Sequence, residues 1–236
     1  MPKQRIAVVS AMREELHALH EDLQDARVER AAGRDFHHGT LHGHPAVLVL
    51  SGIGKVAAAT TTALLLDRFA ADAVLFTGVA GGLGPGVAVG DVVVGDLLLQ
   101  HDLDASPIFP RWQVPLTGLS RFAADVRWSD TLAAAAAASG HRVHRGLIIS
   151  GDRFVCTSSE SAVLCAALPD ALAVEMEGAA VAQVCHDFAR PFAVMRTISD
   201  RADDGAAVDF AAFVADVASA LTRTIVRRAL GGDGGR

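Results

Sequence analysis

The 236-residue chain reads as a single α/β domain around a largely parallel central sheet, and three observations predict it. Short, Val-rich apolar runs alternate with amphipathic stretches of ten or more residues, the pattern of βαβ units. Hydrophobic residues make up 51% and charged residues 20%, which suits a sizeable core and argues against general disorder. No Pro/Ser-rich linker or internal repeat divides the chain. One domain is therefore expected over 1–230, with 231–236 as a flexible tail.

The elements follow in order. Residues 5–10 form a buried strand that leads through Ala11 and Met12 into a helix from about Arg13. Strands are expected at 46–50, 73–77, 91–94, 147–150, 171–174 and 192–198, each short and bounded by Gly, Pro or Asp. Helical patterns occupy 55–69, 129–138, 176–189 and a long terminal stretch from about 207. His37, His38, His42 and His44 flank a Gly-rich turn without Cys or acid at ligand spacing, so they read as a solvated hairpin and no metal site is expected.

Charge narrows the function. Twenty-one basic residues stand against 27 acids, a formal charge of −6, so no basic face is on offer for nucleic acid. Five per cent aromatics and no Tyr weigh against base-stacking platforms. The longest charge-free stretch, 73–90, is broken by several Gly and by Pro85, so no membrane span is expected. The apolar run before Arg13 is too short for a signal-peptide core. Cys156, Cys165 and Cys185 lack CxxC spacing and read as free thiols in a reducing cytoplasm. A small ligand in a cleft remains.

In this fold class ligands gather at the carboxyl ends of strands. Four polar loops are expected there: Ser10 to Glu15, Ser51 to Lys55, Thr77 to Gly84, and Ile198 to Asp200. Neither glycine loop is a phosphate motif. Gly-Ile-Gly-Lys55 is followed by Val56 and preceded by Val49 where a Walker loop needs Gly, and the glycines from Gly78 onward do not fall in GxGxxG register. They serve either tight turns or a close backbone approach by a ligand. Three carboxylates say more. Glu15 lies one turn into the first helix, where it suits the dipole or serves chemistry. Glu177 heads an apolar stripe of Val181, Val184 and Phe188, as a dipole partner or a ligand for sugar hydroxyls. Asp200 follows a strand as an N-cap, an Asx turn or an acid.

Six segments in order carry a resemblance: Ala11-Met-Arg-Glu-Glu15, Ser51-Gly-Ile-Gly-Lys-Val-Ala-Ala-Ala59, Thr77-Gly-Val-Ala-Gly-Gly82, Ser150-Gly-Asp-Arg-Phe-Val155, Val174-Glu-Met-Glu-Gly-Ala-Ala180 and Arg196-Thr-Ile-Ser-Asp200. Over nearly the whole chain it resembles the bacterial 5′-methylthioadenosine/S-adenosylhomocysteine nucleosidases of the purine nucleoside phosphorylase superfamily. The resemblance implies a three-layer α/β/α sandwich with a mixed sheet. It also implies N-glycosidic hydrolysis without a cofactor, releasing adenine and a 5′-thioribose in methionine salvage, and a cytoplasmic homodimer. By resemblance Glu15 is the general base for water and Asp200, oriented by Ser199, the acid at adenine N7. Glu177 binds the ribose hydroxyls and Met176 packs on the sugar. Phe154 stacks on the purine, and the backbone of Val155 meets its Watson–Crick edge. Arg196 and Glu175 help hold the water, and Met12, Ile53, Val79, Ala80 and Gly81 complete the pocket.

Some positions depart from the family pattern. Val79 stands where some relatives carry Ser. Ala105 and Ile108 replace bulkier residues in the segment with which a partner subunit is expected to close the 5′ end. Phe210 is either a lid over that end or a core contact of the last helix.

The chemistry needs an acid on the leaving purine and a base for water on the opposite face, the two-carboxylate logic of inverting glycosidases. The surroundings of Glu15 and Asp200 are expected to push their pKa values apart. A futalosine or aminodeoxyfutalosine hydrolase is the nearest alternative. A phosphate-dependent phosphorylase is less favoured, because Glu15 would repel a phosphate dianion. A non-catalytic nucleoside-binding protein would be expected to lack one of the three carboxylates.

Overall fold

The strongest apolar runs lie at the centre of the sheet in the computed structural model, which describes residues 3–216 and 218–231. β1 (Ile6–Ser10) is buried along its whole length and pairs in parallel with β4 (His44–Leu50) and β5 (Ala73–Gly82). Its side chains alternate between two cores, as a period of two requires. Ala7 and Val9 join one cluster, Ile6 and Val8 the other. α2 (Lys55–Asp67) and α5 (Gly178–Asp187) cover the first face. α1 (Arg13–His20), α3 (Val126–Ala138) and α7 (Ala218–Gly231) cover the second. The α/β/α layering is therefore present.

The remaining strands are β2 (Leu23–Ala31), β3 (Arg34–Leu41), β6 (Val92–Gln100), β7 (Phe122–Ala123), β8 (Val143–Ser150), β9 (Ala171–Glu175) and β10 (Phe192–Asp200). The sheet is mixed. β1 with β4, β1 with β5, β5 with β10, β6 with β8, and β8 with β9 are the parallel pairs; the other pairings are antiparallel. One side of the sheet closes on itself, because β10 bonds both β6 and β5 while β5 also bonds β9. The ring β5–β10–β6–β8–β9 buries both faces of its strands, and the functional carboxylates described below stand at one end of it.

Several expectations shift. The loop expected from Thr77 to Gly84 is mostly strand, since β5 continues to Gly82. β10 likewise runs through Ser199 and Asp200. The helix expected from 176 begins at Gly178, with Glu177 as its N-cap. The long terminal helix is described as α6 (Ala206–Asp216) and α7, with Val217 outside the described residues. Gly231 ends α7, and the remainder of the expected tail lies outside the described residues.

The histidine hairpin exists, turning at His42 and Gly43 between β3 and β4, but its four histidines are half-buried. β2 packs beside it as an edge strand whose seven central residues are exposed. Charged side chains along such an edge discourage pairing with another chain. α4 (Ser158–Ala167), capped by Thr157, has no counterpart among the expected helices. No described helix is long and apolar enough to cross a membrane.

Candidate active site

The first strand delivers Glu15. β1 ends at Ser10, and α1 starts two residues on with Glu15 in its first turn. The carboxylate turns back onto its own helix N-terminus. Oε2 accepts the N–H of Ala11 and of Met12, both at 2.9 Å, and Oε1 accepts the N–H of Val79 at 3.0 Å. The glycines of β5 explain how it fits. A Cβ on Gly78 would stand 2.6 Å from Oε1 of Glu15. The close approach that the glycine segment permits is that of a protein carboxylate.

Asp200 arrives from the same end of the sheet, at the carboxyl end of β10, which like β1 pairs in parallel with β5. The pairing of β10 with β5 slips between Ile198 and Asp200, and a bulge there re-aims the side chain. Ser199 Oγ donates to Oδ2 and the Ala202 N–H to Oδ1, each at 2.8 Å. The second bond closes an Asx-type turn, so that reading is also correct. A Cβ on Gly81 would lie 2.9 Å from Oδ1.

Glu177 caps α5 and accepts the Gly54 N–H at 2.7 Å through Oε1. Gly54, at φ 94°, is the N-cap of α2, so the Gly-Ile-Gly turn is tied to a carboxylate rather than to a phosphate. Beneath lies an ionic hub. Arg196 is buried over Phe76, 4.1 Å from the ring centroid, and donates to Glu175 through Nη2 (2.5 Å) and Nε (3.2 Å). Glu175 also accepts the hydroxyl of Ser150 and the N–H groups of Glu177 and Gly178.

These side chains converge on one cavity of about 410 Å³. Glu15, Glu175, Glu177 and Asp200 line it together with Met12, Ile53, Val79, Ala80, Gly81, Met176, Ser199 and Phe210. Phe154 stands edge-on to Phe210, with centroids 5.4 Å apart, and the pair forms an aromatic wall. Among the described lining residues there is no Lys, Arg or His.

Burial dominates the electrostatics. It raises the pKa of Glu15, opposed by the Arg196 charge and by three backbone N–H donors. It raises Asp200 too, opposed by Ser199 and the Ala202 N–H and reinforced by Asp203 and Asp209. The expectation that the two are pushed apart is not met, since both are raised; only the groups that oppose the burial differ. Glu177 also rises, through burial and then the neighbouring charge of Glu175.

Comparison with known proteins now decides the family. The profile of the Phosphorylase superfamily matches residues 5–231. A 5′-methylthioadenosine/S-adenosylhomocysteine nucleosidase from Anoxybacillus flavithermus is 41% identical, over 89% of this chain and 90% of its own. The Neisseria meningitidis nucleosidase bound to methylthio-immucillin-A superposes with a TM-score of 0.92 at 40% identity, covering 97% of this chain and 99% of its own. The Colwellia psychrerythraea nucleosidase bound to adenine gives 0.91 at 35% identity, covering 97% and 95%. The chain belongs to the methylthioadenosine/S-adenosylhomocysteine nucleosidase family.

Arg196 and Val155, expected at the site, lie off the lining of this nucleosidase cavity, as do Ala105 and Ile108, which are expected to reach a partner subunit's pocket instead. Arg196 is beneath it, held by Glu175. The side chain of Val155 packs in a separate cluster with Leu99 and Leu147. Ala105 and Ile108 sit on a turn away from it, with Ile108 82% exposed. Sequence reasoning missed Ala11, Val174 and Ala207, which line the wall, and Ser150, which bonds both Glu175 and the Ala179 N–H. Small apolar residues carry no chemical signal of their own. Ser150 directly precedes the Gly151-Asp-Arg segment and could have been noticed there.

Lys55 also has a role that the sequence did not predict. Its ammonium meets Asp102 at 2.5 Å, its N–H meets Asp152 at 2.7 Å, and the Asp152 N–H meets Asp102 at 2.9 Å. Three motif loops are thereby tied together outside the cavity.

Proposed function

We propose that the chain hydrolyses the N-glycosidic bond of 5′-methylthioadenosine and S-adenosylhomocysteine, with Glu15 as base and Asp200 as acid. The observation that carries this over phosphorolysis is the charge of the cavity: four carboxyl side chains and no cation among the described lining residues. A phosphate dianion would face Glu15 with no cation on the described wall to hold it, whereas water needs only an acceptor.

Asp200, raised by burial, holds a proton for N7 and makes the purine a better leaving group. Ser199 fixes its orientation. Glu15, also raised, is a stronger base than an exposed carboxylate, and its three N–H donors stabilise the charge it needs before accepting a proton from water. Glu177 holds the ribose hydroxyls with the oxygen that Gly54 does not occupy. Phe154 stacks on the base and Met176 packs on the sugar, while Arg196 holds the buried Glu175 in place.

The enzyme acts without a cofactor, as a cytoplasmic homodimer in methionine salvage. Ile53 and Ile108 are 59% and 82% exposed, which supports a partner surface that completes the 5′ end. The main chain of Val155 is read as meeting the purine edge, and residues 1–230 as one nucleosidase domain. The test is incubation with 5′-methylthioadenosine with and without phosphate. Adenine plus free methylthioribose in both cases supports hydrolysis; a phosphate-dependent sugar 1-phosphate overturns it.

A further inference from the structure

The three carboxylates of the proposed mechanism are not equally held. Glu15 accepts three backbone N–H groups, and Asp200 accepts a hydroxyl and an N–H. Glu177 has one side-chain hydrogen bond among the described residues, from the Gly54 N–H at 2.7 Å. Its orientation therefore depends on where Gly54 is. Gly54 closes a turn with little stiffness of its own, since Gly52 and Gly54 stand at φ 79° and 94° on either side of the exposed Ile53. Glycine loses more backbone freedom on ordering than any other residue, so such a turn must be fixed from outside.

The fixing groups follow it directly. The Lys55 N–H donates to Oδ1 of Asp152 at 2.7 Å, and Lys55 Nζ meets Oδ1 of Asp102 at 2.5 Å. The Asp152 carboxylate packs closely on the turn, because a Cβ on Gly54 would stand 3.1 Å from the same Oδ1. Asp152 is itself mounted on the sheet. It lies two residues past Ser150, the end of β8, which pairs with Gln100 of β6 and Glu175 of β9. The His101 N–H donates to the Ser150 carbonyl at 2.9 Å, and the Gly151 N–H to the Glu175 carbonyl at 3.1 Å. The Asp152 N–H then donates to Oδ2 of Asp102 at 2.9 Å. A continuous path runs from three strand ends through Asp152 and Lys55 to the N–H that holds Glu177.

We propose that Asp152 and Lys55 are positioning residues for Glu177. They fix the Gly54 N–H, which takes up one carboxylate oxygen and leaves the other aimed at the ribose hydroxyls. Neither residue lines the cavity, so their influence on substrate passes through Glu177. The proposal rests on the hydrolase reading above, in which Glu177 holds the sugar.

The experiment measures, by calorimetry with the full-length enzyme, the Kd of two ligands. One is 5′-methylthiotubercidin, a 7-deaza analogue that keeps both ribose hydroxyls and has no N7 to protonate. The other is adenine, which has no sugar. Asp152→Ala should weaken the analogue about 10-fold, the lower end for a hydrogen bond to a charged group. Lys55→Met breaks only a partly exposed ion pair and should weaken it about two- to five-fold. Asp152→Asn keeps an acceptor for the Lys55 N–H and should restore most of the affinity. Adenine should bind all three variants as it binds the parent. In a Glu177→Ala background Asp152→Ala and Lys55→Met should each cost little more, because the group they position is gone. An equal loss with and without Glu177, a matching loss for adenine, or no loss in Asp152→Ala overturns the proposal. Should thermal melts show Asp152→Ala unfolded, Lys55→Met decides by the same comparisons. Failure of the hydrolase reading is a different result: the unaltered enzyme would release no adenine from 5′-methylthioadenosine.

Discussion

Glu15 and Asp200 face one cavity from the carboxyl ends of two strands that run the same way, and burial raises both, yet the groups that answer the burial differ. Glu15 has three backbone N–H donors and the guanidinium of Arg196 nearby. Asp200 has one hydroxyl and one N–H, and two further carboxylates push it the same way as burial. Burial can therefore raise two carboxyls in one site while different groups oppose it at each. What differs is how readily each charge is tolerated.

The largest effect breaks the acid side. Asp200→Asn keeps an acceptor for the Ala202 N–H and a group for Ser199 to meet, so the fold should survive while turnover falls by about 10²–10⁴-fold or more. Near-normal turnover by adenine release would remove Asp200 from the acid role. The base side is less cleanly tested. Glu15→Gln would turn an amide NH₂ toward at least one backbone N–H, so a similar loss of rate should come with a lower melting temperature. A Glu15→Gln enzyme as stable as the parent would show that the three N–H contacts are weaker than their geometry indicates.

Next in size is the ion pair beneath the cavity. Arg196→Met leaves Glu175 as a buried charge without its cation, and breaking such pairs costs about 3–5 kcal/mol. Denaturant melts should show that loss, and adding Glu175→Gln should recover part of it. A double variant no better than the single one would locate the cost in lost packing on Phe76 rather than in charge.

How much of this is readable in the sequence follows from where the signal lies. The strands at the sheet centre are legible because they are buried on both faces and read as continuous apolar runs. β2 and β3 are not recovered as strands, since Leu23–Ala31 is exposed through its middle and shows no alternation to detect. The three carboxylates are legible as acids at strand or helix ends. That Gly78 and Gly81 exist to admit those carboxylates is not, because the partner lies far away in sequence. The closure of the ring through β10, and hence the burial of Arg196, likewise depends on pairings that no local pattern encodes.

The pH dependence of rate sharpens the comparison further. On the proposed roles Glu15 acts ionised and Asp200 protonated, so kcat/KM should rise with Glu15 deprotonation and fall as Asp200 loses its proton. Because burial raises Glu15, the acid limb should lie above the ordinary glutamate range. Asp200→Asn should flatten the basic limb and leave the acid limb where it was. A profile in which that variant loses the acid limb instead would exchange the two roles.

The smallest effect concerns Glu177, which is buried against Glu175 and whose pKa is raised above its ordinary value of 4.5. Below that ordinary value the carboxyl is protonated in both the folded and unfolded chains and contributes no difference. As pH rises past it, the unfolded chain releases the proton while the folded chain retains it, so the stability contributed by the neutral form is progressively lost until the folded pKa is passed. Glu177→Gln keeps an acceptor for the Gly54 N–H but has no proton to lose. Its unfolding free energy from denaturant melts should match the parent at pH 4 and exceed it increasingly toward pH 8, by on the order of a few kcal/mol. On the proposed sugar-binding role the same change should raise KM, since the carboxylate that would accept from ribose hydroxyls becomes an amide. A stability gap independent of pH, or one that opens toward acid, would mean that Arg196 compensates Glu177 as fully as Glu175. The two carboxylates would then share that guanidinium rather than compete for it.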